Sequence, residues 1–206
     1  MASTSSTAWA RPGSTKSPRL QRLFGPDGKC LNVAIDHGIF GERRFLSGIE
    51  DMTKVLEVLC AAGPDAIQLT PGAARSFPAS ALNAMPRSPI PALVLRCDAA
   101  NVYGSRAPLR PFCELLPGDV VGEAVRLDCA ACIVNLFRLP EEPWEAGNHK
   151  ADEAAIANAV VNKGCISNVA NMRDRCAAVG MPLIVEPIAF DWKDEAEDGT
   201  RGVGLA

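Results

Sequence analysis

Short apolar runs alternate with longer stretches of helical periodicity along the chain. The runs predict strands at residues 30–37, 65–70, 92–98, 131–137 and 183–190. The stretches between them predict helices at residues 48–62, 73–85, 118–128 and 151–179, the last as one helix or as two broken at Gly164. Residues 101–117 are expected to form a loop, and residues 191–206 a polar, glycine-rich tail. Such short, almost continuously apolar strands are typical of a parallel sheet covered by helices.

Polar residues recur on one face of these strands, near the end of each. Because side chains alternate across a strand, that face carries Asp36, Gln68, Arg96, Asn135 and Glu186 in turn, while the opposite face is largely aliphatic. A flat sheet with helices on both sides would not need a polar position near the end of every strand. A barrel with an active site at its mouth would. The pattern therefore favours an α/β TIM barrel of which about the first five βα units are present, with an open doubly wound sheet as the alternative.

Composition narrows the class of protein further. The chain has 206 residues, 48% of them hydrophobic, and a formal net charge of −3, which suits one core rather than two domains. Mild acidity argues against a nucleic-acid partner, and no apolar run approaches the roughly 20 residues of a membrane span. We expect residues 1–17 to be a disordered tail and residues 18–206 to be an incomplete barrel. There is no secretory signal, so we expect a cytoplasmic protein.

The eight cysteines mostly lie within apolar runs and are expected to be reduced core residues. Cys129 and Cys132 have the spacing of a metal or redox motif. An odd separation on a strand would place the two sulfurs on opposite faces, so we interpret both as core residues.

Residues 18–38, PRLQRLFGPDGKCLNVAIDHG, combine a short helix, a glycine turn and a strand that ends Asp-His-Gly. This segment resembles the opening of the class I aldolases related to archaeal fructose-bisphosphate aldolase. That superfamily includes deoxyribose-phosphate aldolase and the autoinducer-2 aldolase-like enzymes. The likeness runs in order to about residue 190, with an apparent insertion at 138–163. Its further segments are 65–75, 91–101, 123–131 and 179–187.

The resemblance implies a (βα)8 barrel that breaks or makes carbon–carbon bonds through a lysine Schiff base. It implies a carbonyl or sugar substrate, phosphorylated or not, no cofactor, and a homo-oligomer in the full-length form. Asp36 matches the family's strand-one aspartate and is expected to act in catalysis. The other polar residues of that face, namely Gln68, Arg96, Asn135 and Glu186, are expected to bind substrate. Arg96 and Glu186 could equally form a buried pair that fills the barrel floor.

Two residues of the family pattern are missing. The Schiff-base lysine lies on the sixth strand of the family, whereas this chain is expected to end in the connection after its fifth. Lys193 is the nearest lysine and is expected to be a solvated loop residue among acids. The proton-donating tyrosine of the family falls on Phe137, which has no proton to donate. His37 points to the opposite face from Asp36 and is expected to be structural.

These absences leave three hypotheses open. The first is an aldolase-type lyase that is complete only in a longer form and inactive as this chain alone. The second is a non-catalytic half-barrel that associates with another chain. It follows from the expectation that five units would leave strand edges unpaired and inner faces open to water. The third is a metal-dependent barrel enzyme that uses Asp36, Asp98 and Glu186 around a divalent ion.

Overall fold

The computed structural model describes residues 17–36, 38, 47–84, 90–101, 112–195 and 201–205, without the side chains of 78–84, 193–195 and 201–205. The helices in this part of the chain are α1 (Pro18–Gln21), α2 (Met52–Ala62), α3 (Pro71–Ala84), α4 (Val120–Arg126) and α5 (His149–Ala178). The strands are β1 (Asn32–Ala34), β2 (Ala66–Leu69), β3 (Ala92–Arg96), β4 (Asp98–Ala100), β5 (Cys113–Leu115), β6 (Ala131–Arg138), β7 (Leu183–Glu195) and β8 (Arg201–Leu205).

Five parallel strands form a curled half-barrel in the order β1-β2-β3-β6-β7. This arrangement confirms the predicted partial α/β barrel. The register places Gln68 beside Ala34, Arg96 beside Ile133, and Asn135 beside Glu186. Parallel strands carry their carboxyl ends to one edge of the sheet, so the polar residues of the predicted face reach the same rim.

The two faces of the sheet pack as the alternation predicts. Ile67, Leu95 and Val134 point outward into a core that they share with Leu56 of α2 and Met172 of α5. At its lower end the inner face is apolar, and one small cluster there comprises Leu23, Ala66, Val94, Ala130, Ala131 and Ile133. Leu23, which follows α1, therefore fills the amino-terminal end of the half-barrel.

The inner face is less open to water than the sequence suggested. Arg96 and Asn135 are 1% and 0% exposed, although they lie on the concave side of an incomplete barrel. The hairpin of β4 and β5 contributes to this burial, because it places Asp98 and its neighbours over the upper end of β6. The strand edges agree better with expectation. Among the described strands, none pairs with the outer edge of β1 or with the corresponding edge of 183–189.

The hairpin and the tail correct two loop predictions. Strand three was expected to run to residue 98 and to be followed by a loop at 101–117. Instead the chain leaves the barrel sheet at Cys97, and residues 98–100 pair antiparallel with 113–115. β7 continues to Glu195 and pairs antiparallel with β8, where the sequence predicted a tail. Trp192 anchors this second hairpin, because its indole Nε1 donates to the carbonyl of Glu142 at 3.0 Å. Apolar positions are few in both hairpins and lie among charged, small or glycine residues, so the strand signal in the sequence is weak.

Helix boundaries follow local chemistry more closely than the apolar period. α3 begins at Pro71, before the predicted residue 73, because proline suits the first turn and Thr70 Oγ1 accepts the Ala73 amide at 3.2 Å. α5 runs through Gly164 without a break. Buried residues along its length, among them Ala155 and Cys165, pack it onto the sheet, and such packing outweighs the roughly 1 kcal/mol cost of a helical glycine.

Cys129 and Cys132 are both completely buried, as predicted for core residues, but the argument from opposite faces was wrong. Cys129 precedes β6 rather than belonging to it, and both side chains lie in the same outer core. No helix in the described parts of the chain combines the length and apolarity needed to cross a bilayer. The tail expected at residues 1–17 lies outside the described residues except for Ser17, whose Oγ caps α1 at 3.3 Å.

Candidate functional site

A buried polar cluster lies at the carboxyl ends of the parallel strands, and it contains all five residues predicted from the sequence. Arg96 is at its centre. Its Nε donates to Asp36 Oδ2 at 2.7 Å, and its Nη2 donates to Glu186 Oε2 at 2.7 Å. Its Nη1 lies 3.4 Å from Asp98 Oδ1. The guanidinium thus joins β1, β3, β4 and β7 across the concave face.

Asp36 is held by two donors on the same oxygen. Besides Arg96, Gln68 Nε2 donates to Asp36 Oδ2 at 2.9 Å. Asn32 Nδ2 in turn donates to Gln68 Oε1 at 3.1 Å, which fixes the orientation of the Gln68 amide. Asp36 is 1% exposed. The carboxylate therefore has a fixed orientation before any ligand binds.

Asn135 joins the cluster through Asp98, a residue that the predicted site omitted. The backbone amide and Nδ2 of Asn135 donate to Asp98 Oδ2 at 2.9 and 3.0 Å. The sequence offered a signal for Asp98, since it lies two residues after Arg96 and on the same face. The Oδ1 atoms of Asn32 and Asn135 are buried and have no hydrogen-bond partner among the described residues. They are acceptors without donors on the inner face.

The electrostatics of the cluster favour cations. Burial by itself would lower the pKa of Arg96, but Asp36 and Asp98 raise it above its ordinary value, so the guanidinium stays charged. Asp36, Asp98 and Glu186 surround this one guanidinium, and three carboxylates therefore face one positive charge. Glu186 is 43% exposed, whereas the other two carboxyls are buried. Surplus negative charge is consequently accessible from the Glu186 side.

The same geometry counts against the metal hypothesis. Asp36, Asp98 and Glu186 are the carboxylates that would bind a divalent ion, and Arg96 contacts each of them. Asp36 Oδ2 and Glu186 Oε2 both accept hydrogen bonds from Arg96, so a metal ion would have to displace the guanidinium to bind these oxygens. The described side chains include no group of three His, Cys, Asp or Glu residues arranged to hold a metal.

Comparison with known proteins supplies the family relationship. An uncharacterized aldolase of Saccharolobus solfataricus is 28% identical over 173 residues, which cover 82% of this chain and 54% of that protein. A Schiff-base-forming fructose-1,6-bisphosphate aldolase matches in structure with a TM-score of 0.55 and 18% identity, covering 83% of this chain and 56% of that one. The chain is therefore similar in sequence to one aldolase and similar in fold to another.

A second solved structure agrees with this relationship. It is an archaeal fructose-1,6-bisphosphate aldolase, matched with a TM-score of 0.52 and 19% identity over 81% of this chain and 54% of that one. No family model matches the chain. The chain thus spans just over half the length of the aldolases that it resembles.

Phe137 is the residue that the resemblance places at the tyrosine position of the family. It is 2% exposed and lies against Phe112 and Phe190, with ring centroids 5.3 and 5.7 Å away. This aromatic cluster follows Asn135 on the same face of β6. It closes one side of the polar cluster with an apolar wall that has no hydroxyl group to donate a proton.

The described lysine side chains lie away from the polar cluster. Lys29, Lys54, Lys150 and Lys163 are all exposed, on a loop, on α2 and on α5. Lys193 was expected in a loop, but its backbone belongs to β7, and its side chain lies outside the described residues. His37 also lies outside them, so its structural role stays a prediction. The described part of the chain therefore provides carboxylates, amides and a guanidinium at the rim, but no lysine beside them.

Proposed function

We propose that this chain is part of a class I aldolase-type lyase that acts on a sugar or ketose, phosphorylated or not, through a Schiff base. The observation that carries the proposal is the Asp36–Arg96–Glu186 network at the carboxyl ends of the strands. Its fixed carboxylates and surplus negative charge suit a reaction whose intermediate is a cationic iminium. The aldolases that the chain resembles support the reaction class.

In this mechanism Asp36 is the catalytic residue of the chain. Gln68 and Arg96 hold its carboxyl group in one orientation, so that it can take a proton from the substrate or return it during imine formation and carbon–carbon cleavage. Glu186, the most accessible carboxylate of the cluster, faces the substrate and orients its hydroxyl groups. Because Phe137 has no exchangeable proton, proton transfer at that position has to come from water or another acid.

The amine of the Schiff base comes from outside the described inner face. We place it in the part of the related aldolases that this chain does not span, or on a partner chain. A lysine that enters this environment would be protonated more readily, since carboxylates favour the ammonium form. The surplus charge would then serve mainly to stabilise the iminium once it has formed.

A second candidate is a non-catalytic half-barrel that works by associating with another chain. The outer edges of β1 and of 183–189 lack a strand partner among the described residues. Unpaired edges of this kind form hydrogen bonds with further strands. We also propose that the protein forms a homo-oligomer and that it is located in the cytoplasm.

Borohydride trapping separates the two candidates. The 206-residue chain is incubated with dihydroxyacetone phosphate and borohydride, alone and with any chain that co-purifies, and modified lysines are mapped by mass spectrometry. The aldolase proposal expects a lysine adduct on this chain or on its partner, together with cleavage of fructose 1,6-bisphosphate. A stable complex without adduct or cleavage would favour the half-barrel.

The Asp36→Asn variant tests the role of Asp36 in whichever form of the protein, alone or with its partner, gives the borohydride adduct. We expect cleavage to fall by about 100-fold or more, the usual contribution of general acid–base catalysis. Asp27→Asn is the matched control, since Asp27 is exposed and bonds only locally, to the Lys29 amide. Equal activity of the two variants would remove Asp36 from the mechanism.

A further inference from the structure

Two cysteines of different elements meet beside the polar cluster. Cys113 opens β5, Cys165 lies in the middle of α5, and both belong to the apolar cluster around Phe137. Asn168, one turn after Cys165, places its Nδ2 3.5 Å from the carbonyl oxygen of Cys113 and 4.0 Å from its Sγ. The face of α5 that carries Cys165 is therefore packed directly onto Cys113.

The pair is connected to the candidate site through one hydrogen bond. The Cys113 thiol donates to Asp98 Oδ2 at 3.4 Å, and Asp98 in turn contacts Arg96 and Asn135. Cys165 is 1% exposed, whereas Cys113 is only partly buried. A small oxidant can reach the pair from the Cys113 side.

The two thiols differ in acidity because of their surroundings. The neighbouring Cys113 side chain lowers the pKa of Cys165 to about 7, against the opposing effects of burial and of Asp98. The same interaction, together with burial and Asp98, raises the pKa of Cys113. The thiolate is the reactive form of cysteine. Cys165 is thus the thiol of the pair that reacts first with an oxidant, and Cys113 is the thiol that then forms the disulfide with it.

We propose that Cys113 and Cys165 form a reversible disulfide with a hydroperoxide as the oxidant. The Cys165 thiolate attacks the peroxide, the O–O bond breaks, and Cys165 becomes a sulfenic acid while one water is released. The Cys113 sulfur then attacks the sulfenic sulfur, the S–S bond forms, and a second water leaves. Two thiols are oxidised by two electrons, and hydrogen peroxide is reduced to two waters.

The disulfide would act on the candidate site through Asp98. Once Cys113 is oxidised it has no thiol proton, so the hydrogen bond to Asp98 is lost while the contacts with Arg96 and Asn135 are kept. The modification therefore changes the support of a buried carboxylate at the rim. This inference rests on the geometry of the pair and does not depend on the proposed lyase activity.

Peptide mapping of the oxidised chain tests the proposal directly. Trypsin should release Cys113 in residues 107–126 and Cys165 in residues 164–173, and neither peptide contains another cysteine. After hydrogen peroxide treatment, alkylation of free thiols and digestion, we expect these two peptides to be linked. Two free thiols should be lost, and dithiothreitol should restore both.

Cys30→Ser is the matched control, since Cys30 is exposed and lies on the β1 side. The linked peptides should form equally in this variant and in the original chain, and they should be absent in Cys165→Ser, where Cys113 should stay reduced. The proposal is overturned if both thiols stay free while Cys30 is oxidised, or if either one pairs with another cysteine. The mapping of the unmodified sequence decides this even if a variant fails to fold.

Discussion

Replacing Arg96 by methionine removes the positive charge that Asp36, Asp98 and Glu186 share. Methionine has a similar length and no charge, so the change leaves little void but isolates the carboxylates. Arg96 and Asp36 are each 1% exposed, and their Nε and Oδ2 atoms are 2.7 Å apart. Water can therefore do little to replace the lost partner.

The expected loss is about 3–5 kcal/mol of unfolding free energy at neutral pH, the usual cost of removing one partner of a buried ion pair. Most of it should come from Asp36 and Asp98, because Glu186 is 43% exposed and can be hydrated. The loss is a large share of the roughly 5–15 kcal/mol that stabilises an ordinary domain.

Urea unfolding followed by far-ultraviolet circular dichroism measures this loss at several pH values. Arg75→Met is the matched control. Arg75 makes two hydrogen bonds to Glu123, at 2.6 and 3.0 Å, but its side chain is 63% exposed. An exposed pair contributes little even with good geometry, so Arg75→Met should be far less destabilising than Arg96→Met.

Arg96→Lys provides an intermediate case, since lysine keeps the charge but cannot bridge several carboxylates as the guanidinium fork does. Its stability should lie between that of the original chain and that of Arg96→Met. If Arg96→Met costs no more than Arg75→Met, or if Arg96→Lys is no more stable than Arg96→Met, the electrostatic account of the cluster is wrong.

Three further changes test other parts of the structure by the same unfolding assay. Asn162→Leu should cost about 1–3 kcal/mol, because Asn162 satisfies both the amide and the carbonyl of Leu139, at 2.8 and 2.9 Å, whereas exposed Asn171→Leu should cost little. Burial raises the pKa of Cys129 to about 12, so its stabilising effect is present below about pH 9 and is lost as the pH rises toward 12. Cys129→Ala should therefore reduce the pH dependence of stability in that range by about 1.4 kcal/mol per pH unit. Phe137→Tyr should cost about 1–3 kcal/mol, since the added hydroxyl enters an apolar cluster.

A specific result would contradict each of these three predictions. Equal costs for the two asparagine variants would mean that water replaces the bonds to Leu139. An unchanged alkaline slope in Cys129→Ala would mean that this thiol ionises in the folded protein. Unchanged stability of Phe137→Tyr would mean that the tyrosine hydroxyl finds a partner in the aromatic cluster.

The polar face could be predicted because its residues obey a local rule. Alternation along each strand assigns Gln68, Arg96 and Asn135 to one side of the sheet without knowledge of any partner. Parallel strands then bring their ends together, so co-localisation of the five residues followed from the fold class. The choice between substrate-binding groups and a buried pair for Arg96 and Glu186 could not be made in this way, since it depends on distances across three strands.

Other features depended on contacts that the sequence does not encode locally. Asp98 belonged to the metal hypothesis but not to the predicted substrate site, and nothing in the sequence indicated that the chain turns at Cys97 into a hairpin. The pairing of Cys113 with Cys165 joins residues 52 positions apart and has no periodic signal. The second hairpin was predicted as a tail because its composition is polar and glycine-rich, whereas the indole of Trp192 anchors it to the carbonyl of Glu142.

The sequence by itself determined the order of strands and helices, the half-barrel and the face that carries the polar side chains, because periodicity and turn chemistry are local properties of the chain. The tertiary structure alone decided which of those side chains bond to one another. It placed the guanidinium of Arg96 among the carboxylates that one hypothesis assigned to a metal ion. It also made Asp98 the link between Arg96 and Asn135, and it placed Cys113 and Cys165 beside Asp98. Hydrogen bonding and ion pairing depend on ångström distances between elements far apart in the chain, and only the packing of the sheet and α5 sets those distances.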